Sequence, residues 1–145
     1  MLKVLIAEDD LMIADMTEDA LVRSGYEVCG IARTVDEAVA LGRTHKPDLA
    51  ILDMRLADHG RGSQAAARFD TPRPGILYAT GNTLEVRLTA TDGDACITKP
   101  YRSEDLILAL QIVTELVTTG TTALPFPRGF QLLRGITQRY RAISG

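Results

Sequence analysis

The residues of this chain that could do chemistry each stand directly after a short apolar run. They are Glu8, Asp9, Asp53, Thr80 and Lys99. If the apolar runs are parallel strands, these side chains meet at one edge of a sheet, because the carboxyl ends of parallel strands lie together. Three carboxylates, a hydroxyl and an ammonium would then share one crevice. Such a set can hold a divalent cation and a phosphoryl group.

Glu8, Asp9 and Asp53 would repel one another if they lay close together, and each would raise the pKa of the others. A hard divalent cation relieves this repulsion. Mg²⁺ suits a site that offers one or two carboxylates, a carbonyl and several waters. The three acids are therefore candidate magnesium ligands.

The remaining residues could handle a phosphoryl group. Lys99 supplies positive charge that can pair with Asp53 or with a phosphoryl oxygen, and Thr80 offers a hydroxyl just before Gly81. Asp53 is a candidate nucleophile, because carboxylates can form acyl-phosphate intermediates. A metal and Lys99 would stabilise charge on the transferring group.

Each residue also has an ordinary structural interpretation. Asp9 or Asp10 could serve only to cap a helix. Asp53 could be a turn residue at a strand end, and Thr80 with Gly81 could form a plain turn. The chemical interpretation is favoured by the joint order of these residues after successive apolar runs, which is harder to obtain by chance than any one of them.

Strand-like and helical patterns alternate along the chain. The strand-like segments cover residues 2–8, 26–32, 48–54, 75–80 and 94–98. The helical patterns cover residues 11–24, 34–46, 61–69, 83–91 and 103–118. Five consecutive strand–helix units predict an α/β fold, a doubly wound parallel sheet of five strands with helices on both faces. Ligands bind such sheets beyond the carboxyl ends of the strands, where the polar residues stand.

Residues 119–145 lie outside this repeat and are predicted to form a linker and an amphipathic helical extension of a domain that spans residues 1–118. Apolar residues of the extension follow helical spacing, namely Phe126, Phe130, Leu133, Ile136, Tyr140 and Ile143. An apolar stripe needs a surface to cover it. That surface is either the same domain or a second copy of the chain, and we predict a homodimer.

The charge is divided along the chain. All 19 acidic residues lie at or before Glu115. The basic residues after that point are Arg128, Arg134, Arg139 and Arg141. A basic tail can contact nucleic acid or an acidic partner, but arginines spread through a partly apolar segment more often form a solvated helix face. DNA binding is a minor alternative, since no helix-turn-helix pattern follows the domain.

Composition excludes several classes of protein. The 145 residues are 46% hydrophobic and 24% charged, as in globular domains. No segment has the apolar length of a membrane span, and we expect neither a signal peptide nor a membrane location. Cys29 and Cys96 lie in apolar segments and are predicted to be buried thiols in a reducing cytoplasm. His45 and His59 are isolated, so no zinc site is expected.

The motifs together resemble the response-regulator receiver domain of bacterial two-component systems. Glu8 and Asp9 stand in the run LIAEDD, Asp53 in ILDMRL, Thr80 in YATG and Lys99 in KPY. The resemblance covers about residues 1–118. It implies a flavodoxin-like fold and Mg²⁺-dependent phosphorylation of Asp53 by a sensor histidine kinase.

The same resemblance implies a role for each matching residue. Asp9 and Asp53 would bind Mg²⁺ through their carboxylates, Arg55 through its backbone carbonyl, and Glu8 through a metal-bound water. Thr80 and Lys99 would contact the phosphoryl group. The protein would be a phosphoacceptor that catalyses only its own phosphorylation and dephosphorylation, not an enzyme with a separate substrate.

The chain departs from the family pattern at Cys96, where receivers usually carry an aromatic switch residue. This departure supports the alternative of a receiver-like adaptor module that no longer responds to phosphate. A flavin-binding electron carrier on the same fold is disfavoured, because Glu8, Asp9 and Asp10 would repel the flavin phosphate.

With about 27 residues after the fifth helix, we expect a stand-alone receiver that signals through protein contacts. Some lone receivers with such extensions serve phytochrome kinases, so a photoreceptor kinase is one candidate partner.

Overall fold

The computed structural model describes residues 1–81 and 88–133. Its strands are β1 (Lys3–Ala7), β2 (Glu27–Ala32), β3 (Leu49–Asp53), β4 (Gly75–Thr80), β5 (Ala95–Thr98) and β6 (Phe130–Leu132). Its helices are α1 (Leu11–Arg23), α2 (Val35–His45), α3 (Gly62–Ala67) and α4 (Ser103–Thr119), with a short 3-10 turn at Ala57–His59.

The strands form one sheet in the order β2-β1-β3-β4-β5-β6. The first five strands are parallel, and β6 is antiparallel to β5. The predicted α/β, flavodoxin-like fold is confirmed, with a sixth strand added at the β5 edge. The strand order reverses at β1, whose sequence successor β2 lies on one side and β3 on the other. This reversal opens a crevice at the carboxyl ends of β1 and β3.

Helices cover both faces of the sheet, so the central strands β1, β3 and β4 are almost entirely apolar, with polar residues confined to their ends. On one face, Leu5, Leu52 and Tyr78 pack with α2 and α3 residues such as Val39 and Ala65. On the other face, strand residues pack with α1 and α4; this group includes Ile6, Ile51, Leu77, Leu21 and Leu110. Successive residues of a strand therefore pack on opposite faces of the sheet, in two separate layers of the core.

Two helices begin at side-chain caps that orient them on the sheet. The Asp10 carboxylate accepts from the backbone N–H groups of Met12 and Ile13 at the start of α1. The Thr34 hydroxyl accepts from the Glu37 N–H at the start of α2, 3.1 Å away. These bonds satisfy amides that the first helical turn leaves without partners.

The described part of the C-terminal extension differs from the helix predicted for it. Phe130, Gln131 and Leu132 form strand β6, which pairs with β5 in the register Phe130 to Ile97 and Leu132 to Ala95. A strand forms because β5 would otherwise be an edge strand with unpaired backbone groups, and tertiary pairing overrides a spacing that also fits a helix. Ile136, Tyr140 and Ile143 lie outside the described residues.

The helix predicted over residues 83–91 lies mostly outside the described part of the chain. Its described residues, 88–91, are not helical. Within residues 1–81 and 88–133, no helix has the length and apolar character that a membrane crossing requires.

Candidate functional site

The site forms where β1 and β3 end side by side. Ala7 and Leu52 are register partners, so the residues that follow them, Glu8 and Asp53, come together at the carboxyl edge of the sheet. Both carboxylates are sheltered, with Glu8 4% and Asp53 8% exposed. Both carboxylates are buried because they stand at the ends of buried apolar strands, at the bottom of the crevice.

Lys99 closes the site from the β5 side. Its Nζ donates to Glu8 Oε1 at 2.6 Å and to Asp53 Oδ2 at 3.0 Å. The Lys99 backbone N–H donates to the Thr80 carbonyl at 2.7 Å, which fixes the start of the Lys99–Pro100 segment against β4. One ammonium therefore bridges two buried carboxylates that belong to different strands.

Asp9 completes an acidic cluster. One carboxylate oxygen from each of Glu8, Asp9 and Asp53 lies within 4.8 Å of the others. Oxygen donors at this spacing are the hard ligands that Mg²⁺ prefers. Among the described residues, Lys99 sets one ammonium against these three acids, and a divalent cation would neutralise more of their negative charge.

The pKa values of the site reflect this crowding. Burial, reinforced by the neighbouring Asp53, raises the pKa of Glu8 from 4.5 to about 7. Burial alone would lower the pKa of Lys99, but its hydrogen bonds to Glu8 and Asp53 outweigh that effect and raise it. Lys99 therefore stays charged, while Glu8 is poised to take up a proton when no cation is bound.

Thr80 and Arg55 also lie at this edge of the sheet. Thr80 ends β4 with only 4% exposure, one residue after Ala79, the register partner of Asp53. The Arg55 backbone N–H donates to Asp53 Oδ1 at 3.3 Å. All six predicted site residues thus come from loops and strand ends at the same edge of the sheet.

Two residues that were not among the predicted site residues, Asp10 and Gly62, also shape the site. Asp10 caps α1, as described above, and its N–H donates to Glu8 Oε2 at 3.1 Å. The helix-capping alternative therefore applies to Asp10, whereas Asp9 belongs to the acidic cluster. Gly62 lies so close to the Asp53 carbonyl oxygen that a Cβ at this position would clash with it. The glycine at this position, shortly after Asp53 in the sequence, was the signal that could have revealed this close contact.

Cys96 is fully buried in the core layer that includes Tyr78, its register partner on β4. Burial raises the pKa of its thiol. Leu133, just after β6, packs against the same layer. The position where receivers usually carry an aromatic switch is therefore a small core position, next to the strand that the extension adds.

Chemically, the arrangement presents a sheltered carboxylate, Asp53, beside a fixed ammonium and two further acids. A carboxylate in this setting can attack a phosphorus centre, since the ammonium offsets the charge that accumulates on the phosphoryl oxygens. The acid excess provides the ligands for a cation that would offset more of that charge.

Comparison with known proteins gives a consistent result. A family model described as the response regulator receiver domain matches residues 4–111. Among curated proteins, the chain is similar to the transcriptional regulatory protein PdtaR of Mycobacterium tuberculosis, with 33% identity over 114 residues that cover 76% of this chain and 55% of PdtaR. The chain spans about half the length of the curated relatives it matches.

Solved structures show the same fold. A receiver domain protein described as CheY-like, from Methanospirillum hungatei, has 26% identity and a TM-score of 0.68 over 81% of this chain and 98% of its own. A mutant of the anti-anti-sigma factor PhyR from Bartonella quintana has 28% identity and a TM-score of 0.67 over 83% of this chain and 50% of PhyR.

Proposed function

The chain belongs to the response-regulator receiver family, and we propose that it accepts a phosphoryl group on Asp53 from a sensor histidine kinase in a Mg²⁺-dependent reaction. The observation that carries this proposal is the Lys99 Nζ held 2.6 Å from Glu8 and 3.0 Å from Asp53 beside a third acid. The receiver unit would span residues 1–118, with residues 119–145 as its extension.

In the proposed transfer, an oxygen of the Asp53 carboxylate attacks phosphorus, the bond from phosphorus to the donor histidine nitrogen breaks, and an acyl phosphate forms. Lys99 and Thr80 would contact the phosphoryl oxygens, Lys99 exchanging part of its bond to Asp53 for this contact. Attack of water on the phosphorus of the acyl phosphate would release inorganic phosphate and return the Asp53 carboxylate. The protein would thus catalyse only its own phosphorylation and dephosphorylation.

Glu8, Asp9, Asp53 and the Arg55 backbone carbonyl are the proposed magnesium site. The clustering of three carboxylates supports it, because oxygen ligands at this spacing are those that Mg²⁺ prefers. When bound, Mg²⁺ would supply electrostatic stabilisation of the phosphoryl oxygens. As the family resemblance implies, Glu8 would act through a metal-bound water.

The decisive experiment uses a small phosphodonor. Incubation of the protein with acetyl phosphate and Mg²⁺ is expected to add the mass of one phosphoryl group, as read by intact-protein mass spectrometry. Asp53→Asn removes the nucleophile and is expected to abolish the increase. Asp58→Asn, the same change on an exposed loop residue, is the matched control and should behave as the native chain. Absence of the increase in the native protein would favour the phosphate-insensitive adaptor.

The kinase is proposed to dock on an apolar groove beside Lys99. This groove, of about 410 Å³, lies between α1 and α4, and Ile13, Met16, Tyr101 and Leu106 contribute to its lining. Met16 is 62% exposed. A partner seated here would bring its phosphohistidine to the edge of the site. A phytochrome-type photoreceptor is one kinase to include in a panel of donors.

A charged substitution in this groove distinguishes the effect of kinase docking from the effect of the phosphoryl-transfer chemistry. Met16→Glu is expected to slow phosphoryl transfer from a cognate kinase at least severalfold, because it places a charge in an apolar interface, while transfer from acetyl phosphate stays unchanged. Val22→Glu, on the same helix and similarly exposed at 58%, is the control. Equal kinase rates for the two variants would contradict this docking site.

A homodimer through the extension remains part of the proposal. Phe126 is 42% exposed and forms an edge-to-face contact with Phe130 at 5.0 Å, so an aromatic surface is present where a second copy could pack. Phe126→Ala is expected to shift the ultracentrifugation profile toward monomer, with Leu11→Ala as a control at another exposed apolar residue. A native chain that sediments as a monomer at all concentrations would contradict the dimer.

We also propose a cytoplasmic location. Cys29 and Cys96 are both free thiols, which suits a reducing compartment. The proposed output passes through contacts of the receiver and its extension with other proteins. Nucleic acid is not a proposed partner.

A further inference from the structure

Strand β6 meets β5 at the residue that precedes Lys99. The Thr98 backbone N–H donates to the Gly129 carbonyl at 3.1 Å, and the Thr98 hydroxyl donates to the same oxygen at 3.3 Å. The next amide, that of Lys99, donates to Thr80 on the opposite side. Two successive peptide groups at the end of β5 are therefore fixed from opposite sides, one by Gly129, just before β6, and the other by Thr80 of β4.

Gly129 makes this close contact possible. Its φ of +78° lies in the region that residues with a Cβ avoid, and a Cβ here would stand 3.3 Å from the Thr98 Cβ. The carbonyl can approach Thr98 because the residue is glycine.

The extension is attached at both ends of this contact. Before β6, the Thr122 hydroxyl donates to Glu115 of α4 at 2.7 Å, and the Leu124 N–H donates to Thr122. After β6, the Leu133 N–H donates to the carbonyl of the buried Asp94 at 3.0 Å. The strand therefore follows the β5 edge from Asp94 to Thr98, and its position is fixed by the fold of the domain.

Placement of the Lys99 backbone determines where its ammonium can reach. A lysine side chain has four rotatable bonds and is flexible. The two ion pairs of Lys99 therefore fix the position of Nζ only when the backbone of Lys99 is itself held in place. At an unpaired strand end, amides open more readily than in the sheet interior. A shift of about 1 Å in a group that contacts a reacting centre can change a rate by orders of magnitude.

We propose that strand β6 is a positioning element for Lys99, with Thr98 and Gly129 as the positioning residues. This inference rests on the proposed function, in which Lys99 contacts the phosphoryl group on Asp53. The extension then has a role in the proposed reaction, because its pairing with β5 holds in place the lysine that contacts the phosphoryl group. Loss of the pairing would leave the backbone at Lys99 held on the β4 side but not on the β6 side.

The test uses full-length variants that change only the contact with β6. Thr98→Val removes the hydroxyl donor and keeps a residue that favours strands, Thr98→Ser keeps the donor, and Gly129→Val opposes the left-handed backbone. Thr114→Val removes a hydroxyl that donates within α4 to Leu110 and is the matched control. Two quantities are measured: hydrogen exchange of the Lys99 amide in the unmodified protein, and the rate of phosphoryl uptake from acetyl phosphate with Mg²⁺.

The expected result is faster Lys99 exchange and slower phosphoryl uptake in Thr98→Val, each by about twofold to tenfold, the equivalent of one hydrogen bond. Gly129→Val should show the same two effects more strongly. Thr98→Ser should match the native protein, and Thr114→Val should leave both quantities unchanged. Native behaviour of Thr98→Ser would assign both effects to the hydroxyl donor of Thr98.

The two ideas fail in distinguishable ways. If the native chain takes up no phosphoryl group, the proposed function is wrong, and the exchange of the Lys99 amide alone decides whether β6 positions this residue. If Asp53 is phosphorylated equally fast in the native chain, Thr98→Val and Gly129→Val, and Lys99 exchange is unchanged, the positioning role is overturned while the phosphoacceptor function stands.

Discussion

At the scale of single residues, the site is defined by an imbalance of charge. Lys99 bridges Glu8 and Asp53, and Asp9 adds a third carboxylate. Buried ion pairs are tolerated when each charge has partners, but one ammonium cannot neutralise three acids. Protonation of Glu8 or binding of a cation would reduce the remaining repulsion, so pH and Mg²⁺ should act on the same residue.

The burial of Glu8 beside Asp53 leads to a prediction for the metal-free protein. The pKa of Glu8 is raised from 4.5 to about 7 in the folded state, so between these values the folded chain binds a proton that the unfolded chain does not. Its free energy of unfolding should therefore fall as pH rises through this window, by about 1–3 kcal/mol. Urea denaturation at a series of pH values, in a metal chelator, measures the effect.

Glu8→Gln identifies the source of the pH dependence. The amide does not titrate, so this variant should show little change in the free energy of unfolding across the window and should exceed the native chain in stability at pH 8. Glu18→Gln, the same change on α1, should keep the native pH dependence. An identical slope in Glu8→Gln and the native chain would contradict the assignment to Glu8.

At the scale of elements, α3 begins in direct contact with the end of β3. A Cβ on Gly62 would collide with the Asp53 carbonyl oxygen and approach Leu52, and the Gly62 N–H donates to the Met54 carbonyl. The contact between helix and strand therefore sets the path of the chain just after Asp53. Overpacking at this contact should disturb both the fold and the site.

Gly62→Ala is expected to lower the free energy of unfolding by about 1–3 kcal/mol, because a methyl group forces the backbone at Asp53 to move. Gly81→Ala is the matched control, since a Cβ there meets no atom within 4 Å. Urea denaturation of both variants measures the difference. Equal stability of the two would show that α3 can shift away from Asp53 without cost.

The elements also show what the sequence could and could not predict. Strands β1 to β5 were predictable because each is a short apolar run, and helices α1, α2 and α4 were predictable because their apolar residues recur at helical spacing. Strand β6 was not, because Phe130 and Leu133 stand three residues apart as on a helix, and the strand exists through pairing with β5. The Thr98–Gly129 contact has no local sequence signal for the same reason.

At the scale of the whole molecule, strand order converts separate motifs into one site. Glu8, Asp53 and Lys99 are far apart in sequence and were predictable as a group, because a parallel sheet brings strand ends together. The distances, the pairing of Lys99 with both acids and the raised pKa of Glu8 required the packed structure. Their values depend on burial, which the pattern of residues alone does not give.

Binding of Mg²⁺ should stabilise the entire domain. A ligand that binds only the folded state at about 100 times its Kd adds about 2.7 kcal/mol, which corresponds to a Tm increase of roughly 5–10 °C for a domain of this size. Thermal unfolding with MgCl₂, against NaCl of equal ionic strength, measures it. Asp9→Asn should lose most of this Tm increase, whereas Asp15→Asn, on the exposed side of α1, should keep it. Equal Tm shifts in the two variants would contradict the proposed ligands.

The most direct test of the central proposal is to locate the phosphoryl group. After treatment with acetyl phosphate and Mg²⁺, borohydride reduces an acyl phosphate of aspartate to homoserine, and peptide mass spectrometry identifies the converted residue. We expect conversion at Asp53 alone, and none when Mg²⁺ is withheld. Conversion at another carboxylate, or unmodified Asp53 after full exposure to the donor and Mg²⁺, would contradict the phosphoacceptor function.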